Sequence, residues 1–396
     1  MSVRPVVPGT ERDLAEVLTD LRPALPGVVV TGSARPHAAL RDLGLPGADE
    51  TGGREPLLVS TSRLSEVVEF RPRDLTVEVG AGMRMRELLR LVEERNLWLP
   101  VSGEGLERSV GGWVAAASPS MWDSAFGPVR RQLLGCRMLT PAGKTLNWGR
   151  HVMKNVAGYD IPRLLAGSRG RLGILTRVTL RLWPRPAATS LLVRPSDTAG
   201  RVADASSGAD ARTVQVTRDR GRWEILAFTG GESSVRRRAG EFLERARRTG
   251  EAGELRIDDP AVIERLGAPA RKPGSVVYRL TPGRRYLASC VSALTDEPDA
   301  GPTTVQAWPS SGAILAWYDP GQDLERMKAL LEEFERSTGS CGAKSGGSVP
   351  AIGVDRGGPV EHAWAEARRE PSTIAIEQRI EKVFGAWPRS WLADYL

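Results

Sequence analysis

Histidine and cysteine are scarce, with three of each in 396 residues. Cys136, Cys290 and Cys341 stand apart with no Cys-x-x-Cys pair, so the chain cannot by itself build a zinc ribbon or an iron–sulfur cluster. Any cluster must belong to a partner. The odd thiol count, and the lack of a charged segment leading into an apolar one near the start, point to a reducing, cytoplasmic setting. No apolar stretch approaches the ~20 residues that span a bilayer, so we expect a soluble protein or one associated peripherally with the inner face of the membrane. A dominant charge of one sign is missing too. The 55 basic residues face 48 acidic ones, for a net charge of +7. The arginines are scattered through Gly-, Ala- and Pro-rich sequence without interleaved aromatics, which excludes a nucleic-acid-binding surface. A phosphate-bearing cofactor or an acidic partner subunit accounts for the same charge.

What is present suits a globular chain of two domains: 41% of residues are hydrophobic and 26% charged, close to ordinary soluble usage. Leu14, Val17, Leu18 and Leu21 recur at helical spacing across residues 11–22, and Val28–Val30 reads as a short buried strand. A strand over 75–79 stops at Gly80-Ala81-Gly82 before a helix marked by Met85, Leu88, Leu89 and Val92, and a further strand is expected over 98–101. Val110 to Ala117 reads as a helix whose start is lined by small residues. Strands follow over 133–140, 144–148 and 178–182, the first two joined by Pro141-Ala142-Gly143. Pro184-Arg185-Pro186 marks a domain boundary.

Residues 187–336 are expected to form an α+β unit with strands near 213–217, 223–229 and 313–318 and helices near 234–248 and 322–336. Residues 338–360, rich in Gly and Ser, read as a mobile loop or lid, and a last helix over 374–384 is expected to dock back on the first domain.

Three Gly-rich segments recur between Gly103 and Pro186, the last being Gly167-Ser168-Arg169-Gly170-Arg171-Leu172-Gly173-Ile174. Glycines so spaced can turn backbone N–H groups toward a pyrophosphate, although a tight turn before a strand would look the same. The order of segments is more telling: Ser109-Val110-Gly111-Gly112-Trp113-Val114-Ala115-Ala116, Phe126-Gly127-Pro128-Val129, Val152-Met153-Lys154-Asn155-Val156-Ala157-Gly158-Tyr159-Asp160, Arg163-Leu164-Leu165-Ala166-Gly167-Ser168, and Leu172-Gly173-Ile174-Leu175-Thr176. This series resembles the FAD-binding PCMH-type domain of the vanillyl-alcohol-oxidase superfamily. It resembles the FAD subunits of bacterial glycolate oxidases more closely than the broader group of D-lactate and 2-hydroxyglutarate dehydrogenases.

The resemblance implies an α+β fold with a two-subdomain FAD-binding domain over 1–186, an α+β cap over 187–336, and residues 337–396 returning to the first domain. It implies FAD lined by Gly111, Gly112, Ala116, Gly127, Val129, Gly170, Gly173 and Ile174. It also implies service in a glycolate or 2-hydroxy-acid dehydrogenase complex beside a second flavoprotein and an iron–sulfur subunit. Lys154, Asn155 and Tyr159 could be a solvated lysine and packed neighbours or could lie beside flavin or substrate.

Three departures stand out. The first phosphate loop, ordinarily a run of glycines, is Thr31-Gly32-Ser33-Ala34-Arg35. Arginines fill positions 131, 169 and 171, where they could pair with phosphate oxygens or mark a drift away from FAD. The paired histidines of catalytic relatives have no counterpart: His37, His151 and His362 are isolated and read as surface residues, and Ser345-Gly346-Gly347-Ser348 stands where glycolate oxidase FAD subunits carry a Gly-Gly-His stretch. The flanks of His37 do not suit covalent attachment, so non-covalent FAD is expected. A cofactor-free structural subunit and a self-sufficient flavin oxidase are the alternatives.

Overall fold

The structure is a computed structural model, and it describes residues 6–21, 28–32, 57–140, 143–149, 161–168, 170, 172–195, 209–217, 221–248, 255–257, 276–281, 286–295, 302–318, 351–355 and 390–392. The polypeptide divides into two units. The first comprises residues 1–118, 127–185 and 371–396, and the second residues 119–126 and 186–370.

The first unit opens with α1 (Glu11–Leu21). Thr10 and Asp13 cap it reciprocally: the Asp13 amide donates to Thr10 Oγ1 at 3.1 Å and the Thr10 amide to Asp13 Oδ2 at 2.8 Å, so two donors at the helix start are satisfied. Leu14 and Leu18 point into a core shared with Val28, Val59 and Ile174. Beside them lies a parallel sheet of three strands, with β1 (Val28–Thr31) between β2 (Leu57–Ser60) and a C-terminal strand at Ser390–Leu392.

A second, antiparallel sheet is built from β3 (Val67–Arg71) and β4 (Thr76–Gly80), and is completed further along the chain. After β4 come α2 (Met85–Glu93), β5 (Leu97–Trp98) and α3 (Val110–Ala116). The strand expected over 98–101 ends at Trp98, because Pro100 has no N–H with which to continue a ladder. The chain then contributes α4 (Asp123–Phe126) to the second unit, an excursion with no sequence signal, and returns with α5 (Val129–Gln132), β6 (Leu133–Leu139), β7 (Thr145–Gly149), α6 (Ile161–Leu165), β8 (Ile174–Arg181) and β9 (Trp183–Pro184). The sheet order is β3-β4-β8-β6-β7, and β5 pairs with β9. Its core joins Val77, Val79, Met85, Leu88, Trp113, Val114, Met138, Val178 and Leu180. Every residue of α3 is buried, so this helix runs through the interior of the unit.

The second unit is an eight-stranded antiparallel sheet. It consists of β10 (Ala188–Pro195), β11 (Ala211–Thr217), β12 (Gly221–Gly230), α7 (Glu232–Arg248), β13 (Leu255–Ile257), β14 (Val276–Thr281), α8 (Leu287–Thr295), β15 (Thr304–Trp308), β16 (Ala313–Tyr318) and β17 (Ala351–Asp355), followed in the chain by β18, the Ser390–Leu392 strand of the first unit. The order is β13-β10-β12-β11-β15-β16-β14-β17. Val235, Ala239, Phe242 and Ala246 of α7 pack on Leu192, Leu226 and Phe228. Cys290 and Val291 of α8 pack on Val305, Ile314 and Tyr318.

One loop expectation is corrected here. Within 338–360, residues 351–355 form a strand paired antiparallel with β14, Leu280 opposite Ile352 and Tyr278 opposite Val354. The helices expected at 322–336 and 374–384 lie outside the described residues. The α+β class is as expected.

Candidate cofactor site

A cleft within the first unit is lined by Val30, Thr31, Gly32, Thr61, Ala81, Ser109, Gly111, Gly112, Ala115, Ser168, Gly170, Gly173, Ile174 and Leu175. The cleft is narrow, with a cavity volume of about 20 Å³. The ends of β1 and β2, the turn after β4, the start of α3 and the turn before β8 meet there. Glycine, alanine and four hydroxyl-bearing residues dominate the wall, and among the described residues no charged side chain contributes to it.

The glycines are present because neighbours approach too closely for a Cβ. On Gly111 a Cβ would lie 2.7 Å from Ala81 Cβ and 2.9 Å from Ala81 O. On Gly32 it would lie 2.3 Å from Ser109 Oγ. Gly173 has φ +151, and a Cβ there would lie 2.1 Å from Met138 Cε and 2.4 Å from Leu139 O.

The first amides of α3 are engaged inside the protein. The Val110 N–H donates to Met83 O at 2.8 Å, the Gly111 N–H to Ala81 O at 2.7 Å, and the Gly112 N–H to Ser109 Oγ at 3.1 Å. Gly111 and Gly112 therefore offer the cleft surfaces without side chains, while the donation expected of their amides is already committed. The Gly173 amide donates to Gly170 O at 3.2 Å, closing the turn. Among the described residues the amides of Gly32 and Gly170 meet no acceptor. Ser109 Oγ accepts from Gly112 and keeps its own proton to donate.

Of the residues assigned from sequence, Gly111, Gly112, Gly170, Gly173 and Ile174 meet in this cleft, whereas Ala116, Gly127 and Val129 lie outside its wall. Ala116 is buried on α3. Gly127 adopts φ +84, where a Cβ would lie 2.5 Å from Arg131 Cδ, and Val129 is buried in the same core as Trp113. Arg131 is exposed on α5. Arg169, Arg171, Lys154, Asn155, Tyr159, the three histidines and 345–348 lie outside the described residues. The sequence reading missed Val30, Thr61 and Ala115 as wall residues; only the small-residue run at 80–82 hinted at Ala81.

No group of three or more possible metal ligands occurs among the described residues, and no described helix is long and apolar enough to cross a membrane. Burial pushes the Cys290 thiol up to about 12, which leaves it protonated and inert.

Residues 6–149 match the FAD binding domain family, so FAD is the cofactor of this part of the chain. The glycolate oxidase subunit GlcE of Escherichia coli K12 is 38% identical over 130 residues, covering 32% of this chain and 37% of that protein. The D-2-hydroxyglutarate dehydrogenase of Xanthomonas citri pv. viticola is 33% identical over 143 residues, 35% of this chain and 30% of that protein. The glycolate oxidase subunit GlcD of Bacillus subtilis is 28% identical over 152 residues, 37% of this chain and 32% of that protein. The matches thus span about a third of these relatives' length. Among solved structures, alkyldihydroxyacetonephosphate synthase superposes with TM-scores of 0.63 and 0.64 in two crystal forms, at 14% and 15% identity. The two superpositions cover 96% and 97% of this chain and 74% and 76% of that protein. That likeness shows the fold.

Proposed function

We propose that this chain is the FAD-carrying, electron-transferring subunit of a glycolate or related 2-hydroxy-acid dehydrogenase complex, acting beside a second flavoprotein and an iron–sulfur subunit. The observation that carries the reading is the meeting of Gly111, Gly112, Gly170, Gly173 and Ile174 in one side-chain-poor cleft of the first unit, whose residues 6–149 match the FAD binding domain family. The chemistry of the wall suits the phosphates of such a cofactor, because among the described residues it carries small, uncharged side chains and retains hydroxyl and amide donors. Gly32 and Gly170 would offer amides and Ser109 and Ser168 hydroxyls to the phosphates and ribose, while Val30, Ile174 and Leu175 would exclude water from one side. Bound FAD supplies an acceptor for a hydride and a relay for single electrons. Among the described residues no titratable side chain lines the cleft, and the reading assigns removal of the substrate hydroxyl proton to another subunit.

The test is the visible spectrum of the chain under anaerobic conditions. With glycolate, the flavin of the isolated chain should stay oxidised and should bleach once the partner subunits are added. Bleaching of the isolated chain at a catalytic rate would instead establish a self-sufficient oxidase. The engaged α3 amides and uncharged wall favour one rival, a structural subunit without cofactor. A complex that assembles with no flavin on this chain would establish it.

A further inference from the structure

We infer that one end of the first unit is a docking surface for the acidic face of a partner protein, built from unpaired arginines around two half-buried tryptophans. The inference rests on the reading that this chain works in a complex, and it names where on the chain a partner sits. Four segments meet at this end. Trp98 of β5 pairs with Trp183 of β9, the Arg185 amide donates to Asn96 O at 3.0 Å, and the Leu182 amide to Leu75 O at 2.7 Å. The short helix α5 joins them because buried Gln132 accepts at Oε1 from the Trp183 indole Nε1 at 3.1 Å. Arg95, Arg130, Arg131 and Arg181 are thereby gathered around the two indoles.

The charge gathered here is uncompensated. Arg95, Arg130 and Arg131 are exposed, and among the described residues none of the three makes an ion pair. The neighbouring Glu93 is already held by Arg185 at 3.6 Å. On α7 the pattern is the opposite: Arg236, Arg237 and Arg248 each have a glutamate one turn away, at 2.5, 3.0 and 3.5 Å. Unpaired like charges held close together repel one another and attract a surface of the other sign. Tryptophan and arginine are also the side chains that anchor protein interfaces, since a stiff ring and a planar cation bury much area for little lost freedom. The bond from Gln132 fixes the Trp183 ring before any partner arrives.

The same geometry disfavours other anionic ligands. The Arg181 guanidinium lies 3.9 Å from the Trp183 ring centroid, so that face of the indole is not open to stack a base. The exposed large apolar side chains among the described residues are Val6, Val67 and Leu164; none belongs to these segments, so no apolar wedge is offered to a bilayer. Carboxylates on a folded protein are the fitting counterpart. Along β8, Ile174 at the cleft and Arg181 at this end are roughly 20 Å apart at ~3.3 Å per residue, so a docked partner leaves the cleft clear.

The test uses the full chain co-expressed with the second flavoprotein and the iron–sulfur subunit. Hydrogen exchange of the chain in the complex and alone should show protection over 93–98, 127–132 and 181–185. The double variant Arg95→Gln/Arg130→Glu is compared with the parent and with Arg237→Glu on α7. At low salt the double variant should associate with the partner subunits about tenfold more slowly, a difference that closes at about 1 M salt, where the Debye length is ~3 Å. Its FAD content and Tm should match the parent, and Arg237→Glu should associate at the parental rate. An assembled complex with no protection of these segments and equal association rates would overturn the docking surface and leave the complex reading standing. Weaker binding of the double variant to RNA or to phosphatidylglycerol vesicles, with partner association unchanged, would assign the surface to another class of ligand and overturn the inference as well. A parent chain that does not associate with those subunits would overturn the complex reading and this inference with it.

Discussion

Gly111→Ala separates packing from ligand binding at the start of α3. The new Cβ would lie 2.7 Å from Ala81 Cβ and 2.9 Å from Ala81 O, against ordinary carbon–carbon contacts of about 3.5–4.0 Å. Relief requires a shift of nearly an ångström, and Ala81 is poorly placed to give. Its amide donates to Thr176 O at 2.9 Å, its carbonyl accepts from Gly111 at 2.7 Å, and the adjoining Gly82 has the Thr61 carbonyl 1.8 Å from its own Cβ position. Overpacking of this kind costs about 1–3 kcal/mol, and alanine's better helix propensity returns up to ~1 kcal/mol. The net loss is about 1–2 kcal/mol, which in a domain of this size lowers Tm by roughly 2–8 °C. Calorimetry and urea unfolding of flavin-free protein read it directly. If the flavin-free variant is as stable as the parent, the steric account of Gly111 is refuted and its glycine would serve the ligand alone.

Further outcomes follow from the same structure. Ser109→Ala removes the acceptor for the Gly112 amide and should destabilise flavin-free protein by about 1 kcal/mol in urea, while Gly173→Ala, with φ +151 and a backbone carbonyl 2.4 Å from its Cβ, should cost more than Gly111→Ala in the same assay. In the second unit, Arg238→Met breaks bonds to Asp210 at 2.9 and 3.0 Å around the residue whose carbonyl holds Ser124 of α4; it should cost about 1–3 kcal/mol, whereas Arg237→Met, losing an exposed pair with Glu241, should change urea stability by under ~1 kcal/mol. With a thiol group raised to about 12, Cys290 is a thiolate in only about one molecule in ten thousand at pH 8, so a thiol reagent should label it at an appreciable rate only in denaturant.

Much of the first unit was legible because its punctuation is local. Leu14, Val17, Leu18 and Leu21 at helical spacing announce α1, Gly80 and Gly82 end β4, and Pro141-Ala142-Gly143 marks the hairpin of β6 and β7. The second unit was legible in part: the strand read at 313–318 is β16, whereas β15 went unread although Thr304 and Gln306 alternate with Val305 and Ala307 and all five of its residues are buried, and β17 hides a single apolar alternation in Gly-rich sequence. At the cleft, the glycines could be read from spacing, but Thr61 and Val30 come from strand ends brought together by parallel pairing of β1 and β2, which no local pattern encodes.

Titration of flavin-stripped chain with FAD, followed by calorimetry with ADP and riboflavin as competitors, addresses the cleft itself. We expect saturation at one FAD per chain, competition by ADP, and return of the oxidised-flavin visible spectrum without any flavin retained after denaturation. A chain that folds with its native melting profile yet takes up no FAD would contradict the account at its root.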